Sequence, residues 1–315
     1  MKAAVIGGAG LFGSAVIAEL ASRGLFHEIT LIDGQAELGE AEVADLRAAY
    51  LGRDIRINFA SQINSVSQSD VVIVCRGFAT QSGESRFELA RRNLGPFCWL
   101  LAELKRVGLR RDAVVIIAAE PTELMTALAA SYLDLPPGQI LGMGTVVDAM
   151  RLRAGLCQHF NLSSGEVQVG ALGVRGKHLV PVWSSANIGG QAISQLRPWE
   201  GSWQHAIEQA VREADLSQLR GKGGAWRAPA AAVADVANAV VRDTGAVLPV
   251  CVSQAFRVSR YGLRRTSIAL PHPVGRQGAG EVIEQKLWPK ELAALKQGAR
   301  QAQRDLQALL KIELG

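Results

Sequence analysis

The chain has 315 residues, an apolar fraction of 48% and a formal net charge of only +5. That is length enough for two packed domains, and the balance of both charge signs is that of an ordinary globular protein. The Arg-rich spots at Arg91-Arg92, Arg110-Arg111 and Arg264-Arg265 are short and carry no interleaved aromatics, which argues against a nucleic-acid footprint.

The first half alternates short apolar, β-rich runs with longer helical patterns, the signature of βαβ units around a parallel sheet. Strands are predicted at Ala3–Ile6, Glu28–Ile32, Asp54–Asn58, Val71–Cys75, Ala113–Ala118 and Gln139–Leu141. Helices are predicted between them at Leu11–Ser22, Ala36–Tyr50, Arg86–Leu104 and Glu123–Tyr132. After about Gly144 the pattern changes to a helix (Val146–His159), an alternating run (Val167–Val169) and a Gly-rich loop (Gly173–Gly176). Helices near Trp203–Leu219 and Pro229–Asp243, strand-like segments at Val247–Val252 and Thr266–Leu270, and a charged helix from Pro289 to about Ile312 complete the chain. The expected architecture is a Rossmann domain over residues 1–143 followed by an α+β substrate domain over 144–315.

Cys75, Cys98, Cys157 and Cys251 form no CxxC pair, and no His, Cys, Asp or Glu cluster has metal spacing. Neither a disulfide framework nor a metal site is expected, and reduced thiols suit a cytoplasmic protein. No segment approaches the ~20 apolar residues that span a bilayer.

The strongest local signal is Gly8-Ala9-Gly10-Leu11-Phe12-Gly13, which follows a strand and opens a helix. Glycines at these three places allow a tight turn, close approach to a pyrophosphate and close packing of helix on strand. Asp33 ends the second strand twenty residues beyond Gly13. A carboxylate there accepts from the adenosine ribose hydroxyls and repels a 2′-phosphate, so NAD is the expected cofactor.

Several further segments, in order and spacing, make the chain resemble the lactate/malate dehydrogenase family over nearly its full length. They are VIGGAGLFG (Val5–Gly13), LIDGQAELGEAEVADL (Leu31–Leu46), SDVVIVCRG (Ser69–Gly77), SGESRFELARRN (Ser82–Asn93), GTVVDAMRLR (Gly144–Arg153), VPVWS (Val180–Ser184), APAAAVADV (Ala228–Val236) and VLPV (Val247–Val250). The resemblance adds Gly77 and Asn93 to Gly8, Gly10, Leu11, Phe12, Gly13 and Asp33 as cofactor-binding residues. It also implies that Arg86 polarises a substrate carbonyl from a mobile loop and that Arg151 grips a substrate carboxylate, with Asp148 on the same helix face. Thr80 and Gln81 fall at the substrate-selecting position, and Ala225 falls where the family often has a threonine.

Two places depart from the family. Its catalytic histidine falls in a loop that here reads Gly173-Val174-Arg175-Gly176-Lys177, and a guanidinium with a pKa above 12 is no acid near neutral pH. Its Asn-Pro turn reads Glu120-Pro121, which places a carboxylate at the expected reaction centre. The expectation is an NAD-dependent oxidoreductase for a carboxylate-bearing 2-oxo acid, 2-hydroxy acid or imine, with Glu120 and Asp148 balancing Arg175 and with Glu120, Lys177 and His178 as alternative proton carriers. A second reading makes Arg86, Arg151 and Arg175 a joint site for a dianion, and the alternative is a catalytically silent NAD-binding scaffold. The resemblance further implies a homodimer or homotetramer, with the helices from Ala36 and Pro229 as contact surfaces.

Overall fold

The computed structural model describes residues 1–196, 201–253, 261–263 and 266–314, so Arg264-Arg265 lie outside the described residues. The first part runs β1 (Lys2–Ile6), α1 (Leu11–Ser22), β2 (Glu28–Ile32), α2 (Ala36–Ala49), β3 (Arg56–Ala60), β4 (Val71–Val74), α3 (Arg86–Val107), β5 (Val114–Ile117), α4 (Thr122–Tyr132) and β6 (Ile140–Gly142). Its strands are parallel in the order β3-β2-β1-β4-β5-β6, so the connections wind outward in both directions from the β1/β4 pair. That reversal is the place where doubly wound sheets bind ligands, beyond the carboxyl ends of the strands.

Both faces of this sheet are covered, which is why its strands read as unbroken apolar runs. Ala3 and Val5 of β1 pack on one face with Val16, Ile17 and Leu20 of α1. Ala4 and Ile6 point to the other, with Leu100, Leu101 and Leu104 of α3.

The second part continues as α5 (Val146–Phe160), β7 (Val167–Gly173), β8 (Leu179–Ile188), β9 (Gln191–Ala192), α6 (Gly201–Lys222), α7 (Arg227–Arg242), β10 (Ala246–Cys251), β11 (Ala269–Gly275), β12 (Gly278–Ala279) and α8 (Pro289–Leu314). Its strands extend the first sheet, because Cys251 of β10 pairs antiparallel with Gly142 of β6 and the order continues β10-β11-β7-β8-β9.

Two predicted strands are displaced. The third strand begins at Arg56 rather than Asp54, because Arg53 closes a turn on the Tyr50 carbonyl. β11 begins at Ala269, within the predicted Thr266–Leu270 segment, and runs on through Pro271 and Pro273, which face Pro249 and Val247 of β10. Proline lacks a ladder donor and so reads as a strand breaker. The apolar stripe of α7 packs within the chain, where Ala230, Val233, Ala237 and Val240 join the α1 core.

Candidate functional site

The cofactor turn begins one residue earlier than the motif shows. Gly7 has φ +79°, and a Cβ there would meet the Arg76 backbone at 2.8 Å, so only glycine fits between β1 and the end of β4. Gly8 packs under Leu31, and a Cβ on Gly13 would stand 2.2 Å from the Gly7 carbonyl oxygen. These two close the turn against the sheet. Gly10 differs, since a Cβ there would meet only the Gly7 oxygen, at 3.8 Å. Open space therefore lies over the turn where a pyrophosphate needs to approach.

Gly10 is also the N-cap of α1 and supplies no side-chain oxygen, so the first amides of the helix remain available to an anion. Asp33 accepts from the Gln35 amide at 3.2 Å and from the Ala9 amide at 3.4 Å, which fixes its carboxylate beside the turn. Gly10, Leu11, Phe12, Gly13, Asp33, Gly77 and Asn93 all line one cleft of about 710 Å³, whereas Gly8 is not in its lining and packs against Leu31 and Ile17. On this geometry the residues fit a dinucleotide.

A smaller cavity of about 180 Å³ adjoins that cleft and shares Phe12, Cys75, Gly77, Phe78, Ala79, Gly224 and Ala225 with it. Thr80, Ala119, Met143, Leu219 and Pro229 complete most of its wall, and its charged lining is Glu120, Arg175 and Asp215. The strand ends set these positions. Glu120 follows β5 in a cis peptide to Pro121, and Arg175 follows β7 as the chain turns into β8. Asp215 projects from the middle of α6.

Arg175 is only 5% exposed, and its guanidinium is bound by three carboxylates. Its Nε donates to Asp148 Oδ2 at 3.0 Å, one Nη donates to Glu120 Oε1, and the other donates to Asp215 Oδ2 at 2.8 Å. The network extends on both sides. Arg86 donates to Glu120 at 3.1 Å and to Glu123 at 2.7 Å, and Arg151 donates to Asp215 at 2.8 Å.

Burial alone would raise the Glu120 and Asp215 carboxyls, but Arg175, helped by Arg86 at Glu120 and by Arg151 at Asp215, outweighs it and holds both below the usual range. Asp148 is buried more deeply, and there burial prevails over Arg175 and Arg151, so its carboxyl is raised. Arg175 itself is driven well above the ordinary guanidinium value, since its three carboxylates outweigh the burial that opposes its charge.

Among the expected site residues, Thr80, Glu120 and Arg175 reach the cavity wall, whereas Arg86, Asp148 and Arg151 stand behind it. Gln81 is exposed, and its backbone amide donates to Glu84 at 2.8 Å. Asn93 lines the cofactor cleft and also ties two loops together, accepting from the Phe78 amide at 2.7 Å and donating to the Glu120 carbonyl at 2.8 Å. Arg86 is the first residue of α3, behind a capping box in which Ser85 and Glu88 bond each other's backbone amides.

Two expectations are corrected. Lys177 is exposed and His178 packs against Gly298 of α8, so neither lines the cavity as a proton carrier. The three arginines do not form an open anion site, because Glu120, Glu123, Asp148 and Asp215 already bind them. Asp215 and Glu123 were invisible to sequence reasoning. Asp215 lies within an amphipathic helix and matches no motif, and Glu123 has only its place three residues after Glu120 to mark it.

An open parallel sheet with a Gly-rich turn at its switch point, and a small cavity beside that turn, is the arrangement of a dinucleotide-binding protein. Residues 1–142 match the lactate/malate dehydrogenase NAD binding domain, and residues 145–312 match the alpha/beta C-terminal domain of the same enzymes. The chain belongs to the lactate/malate dehydrogenase family. It is 32% identical to an L-lactate dehydrogenase of Deinococcus radiodurans, covering 95% of this chain and 96% of that one. An L-lactate dehydrogenase of Thermus aquaticus is 30% identical over the same shares of the two chains. The crystal structure of malate dehydrogenase from Salinibacter ruber superposes with a TM-score of 0.90 at 26% identity, over 99% of each chain. That of a minor L-lactate dehydrogenase from Enterococcus mundtii gives 0.90 at 21% identity over 98% of each, a likeness of fold. As a family member the chain is an oxidoreductase that uses NAD.

Proposed function

We propose that this NAD-dependent oxidoreductase acts on a CH–OH or C=N group of a small substrate in the 180 Å³ cavity, with no histidine acid. The observation that supports this reading is Arg175, buried in the cavity wall and bound to Asp148, Glu120 and Asp215. A guanidinium in that setting keeps its proton, so it orders carboxylates and donates none. NAD, when bound, supplies the hydride chemistry.

The chain's own contribution is to hold the cofactor on the Gly7–Gly13 turn and to shape a largely apolar chamber. It also presents Glu120 as an ionised acceptor towards the reacting group. Because Arg175 and Arg86 hold the Glu120 carboxyl low, Glu120 suits the balancing of positive charge better than the donation of a proton. Cytoplasmic residence and a homo-oligomeric assembly belong to the same reading, supported by four free cysteines and by the family's soluble dehydrogenases.

The test is absorbance at the NADH wavelength against a panel of 2-oxo acids, 2-hydroxy acids, imines and amines, run in both directions. Turnover of at least one member is expected. A protein that binds NAD and changes no member of the panel would be the silent scaffold instead.

A further inference from the structure

Resting on the proposed function, we infer that the substrate of this cavity is a small cation, an amine or its iminium, and not the free 2-oxo or 2-hydroxy acid that Arg151 would anchor. The inference begins with the occupancy of the arginines. Arg151 Nη2 and Arg175 Nη2 each donate to one oxygen of Asp215 at 2.8 Å, so this side chain bridges the two guanidinium groups as a substrate carboxylate would.

Asp215 is carried on α6. A free acid must therefore compete with an internal carboxylate whose effective concentration is at least about millimolar. Displacing it would also leave the Asp215 charge without the partners that now hold it.

The cavity wall gives the second line of argument. It carries two carboxylates, Glu120 and Asp215, against the single guanidinium of Arg175. The side chains of both carboxylates keep some exposure, 22% and 43%, while that of Arg175 has 5%. Both carboxylates thus keep accessible surface at a wall that Arg175, itself nearly inaccessible, also lines. A monovalent cation placed there balances the wall, whereas an anion meets two like charges. The remainder of the wall, with Phe12, Ala119, Met143 and Leu219, suits a compact hydrocarbon frame. A cavity of about 150 Å³ takes benzene, so 180 Å³ accommodates a five- or six-membered ring.

The chemistry is consistent with the missing acid. An iminium carbon accepts a hydride with both of its electrons, the C=N π pair moves onto nitrogen, and a neutral amine results. No proton is drawn from the protein. A carbonyl would need one, and the charged groups of the wall are carboxylates held in the ionised form and a guanidinium.

The experiment is calorimetric titration of the NADH-loaded protein with two unreactive probes, the pyrrolidinium cation and oxalate, alongside NADH oxidation with 2-methyl-1-pyrroline and with pyruvate. Pyrrolidinium is expected to bind at least tenfold more tightly than oxalate, and Asp215→Asn is expected to reverse that order by freeing Arg151 and Arg175. Glu120→Gln, which keeps Asp215 in place, is expected to weaken pyrrolidinium at least fivefold. Tighter binding of oxalate by the unaltered protein, or binding of neither probe, overturns the inference. Turnover of pyruvate alone would do the same while leaving the oxidoreductase reading intact. Absence of turnover with every compound, beside the expected binding order, would overturn the oxidoreductase reading and leave the cation site standing.

Discussion

Arg175 is satisfied on three sides, and the cost of removing it follows from what it would leave behind. Asp148 is 2% exposed and receives the Arg175 Nε bond. Glu120 loses one of its two arginines. Breaking a buried pair by deleting one partner typically costs about 3–5 kcal/mol, because the remaining charge is uncompensated. Arg175→Met is therefore expected to lower the urea midpoint by a matching amount, and an unchanged midpoint would show that the network contributes nothing to stability. The same residues set an acid limb. Glu120 and Asp215 have folded pKa values below their unfolded ones, so their contribution is complete above about pH 4.5 and is lost as pH falls towards the folded values. Asp148 has the opposite sign, since its raised carboxyl contributes at low pH and loses that contribution as pH rises. Glu120→Gln removes one of the two acid-sensitive carboxyls of this network, so its melting temperature should fall less steeply between pH 4.5 and 3 than that of the unaltered protein. Parallel melting curves would refute the assignment.

At the scale of elements, the β1–α1 turn depends on a contact that tolerates no added atom. A Cβ on Gly13 would lie 2.2 Å from the Gly7 oxygen and 2.7 Å from the Gly8 Cα, both backbone atoms that cannot rotate away. Gly13→Ala must push α1 off the sheet, with an expected loss of about 1–3 kcal/mol and at least a tenfold weaker NAD affinity by fluorescence titration. Wild-type affinity would mean that the turn relaxes without disturbing the site. This turn and the parallel strands were legible in the sequence because a glycine motif and a doubly buried strand are local patterns. β8 was not predicted as a strand, since LVPVW shows no alternation and Ser184, Ser185 and Asn187 follow it. The ion network was half legible. Arg175, Glu120 and Asp148 stand at motif positions, but Asp215 reaches them from α6 across 40 residues of sequence from Arg175, a contact set by tertiary packing alone.

For the whole molecule, one sheet continues from the first part into the second through the Cys251–Gly142 pairing, and the two cavities share part of their lining. Gly224 and Ala225, between α6 and α7, line both cavities, and Trp226 lines the cofactor cleft, so a bound dinucleotide touches both parts of the chain. Any ligand that binds only the folded state stabilises it, by about 2.7 kcal/mol at a concentration one hundred times its Kd. NAD should therefore raise the melting temperature of the chain as a single transition, with the two parts unfolding together. Asp33 is expected to set the selectivity of that effect. Its carboxylate is fixed by the Ala9 and Gln35 amides beside the turn, where a 2′-phosphate would bring two further negative charges close to it. NADP at the same concentration is expected to give a much smaller shift, and Asp33→Ser to narrow the gap between the two cofactors. Equal shifts from NAD and NADP in the unaltered protein would remove Asp33 from its role as the discriminating residue.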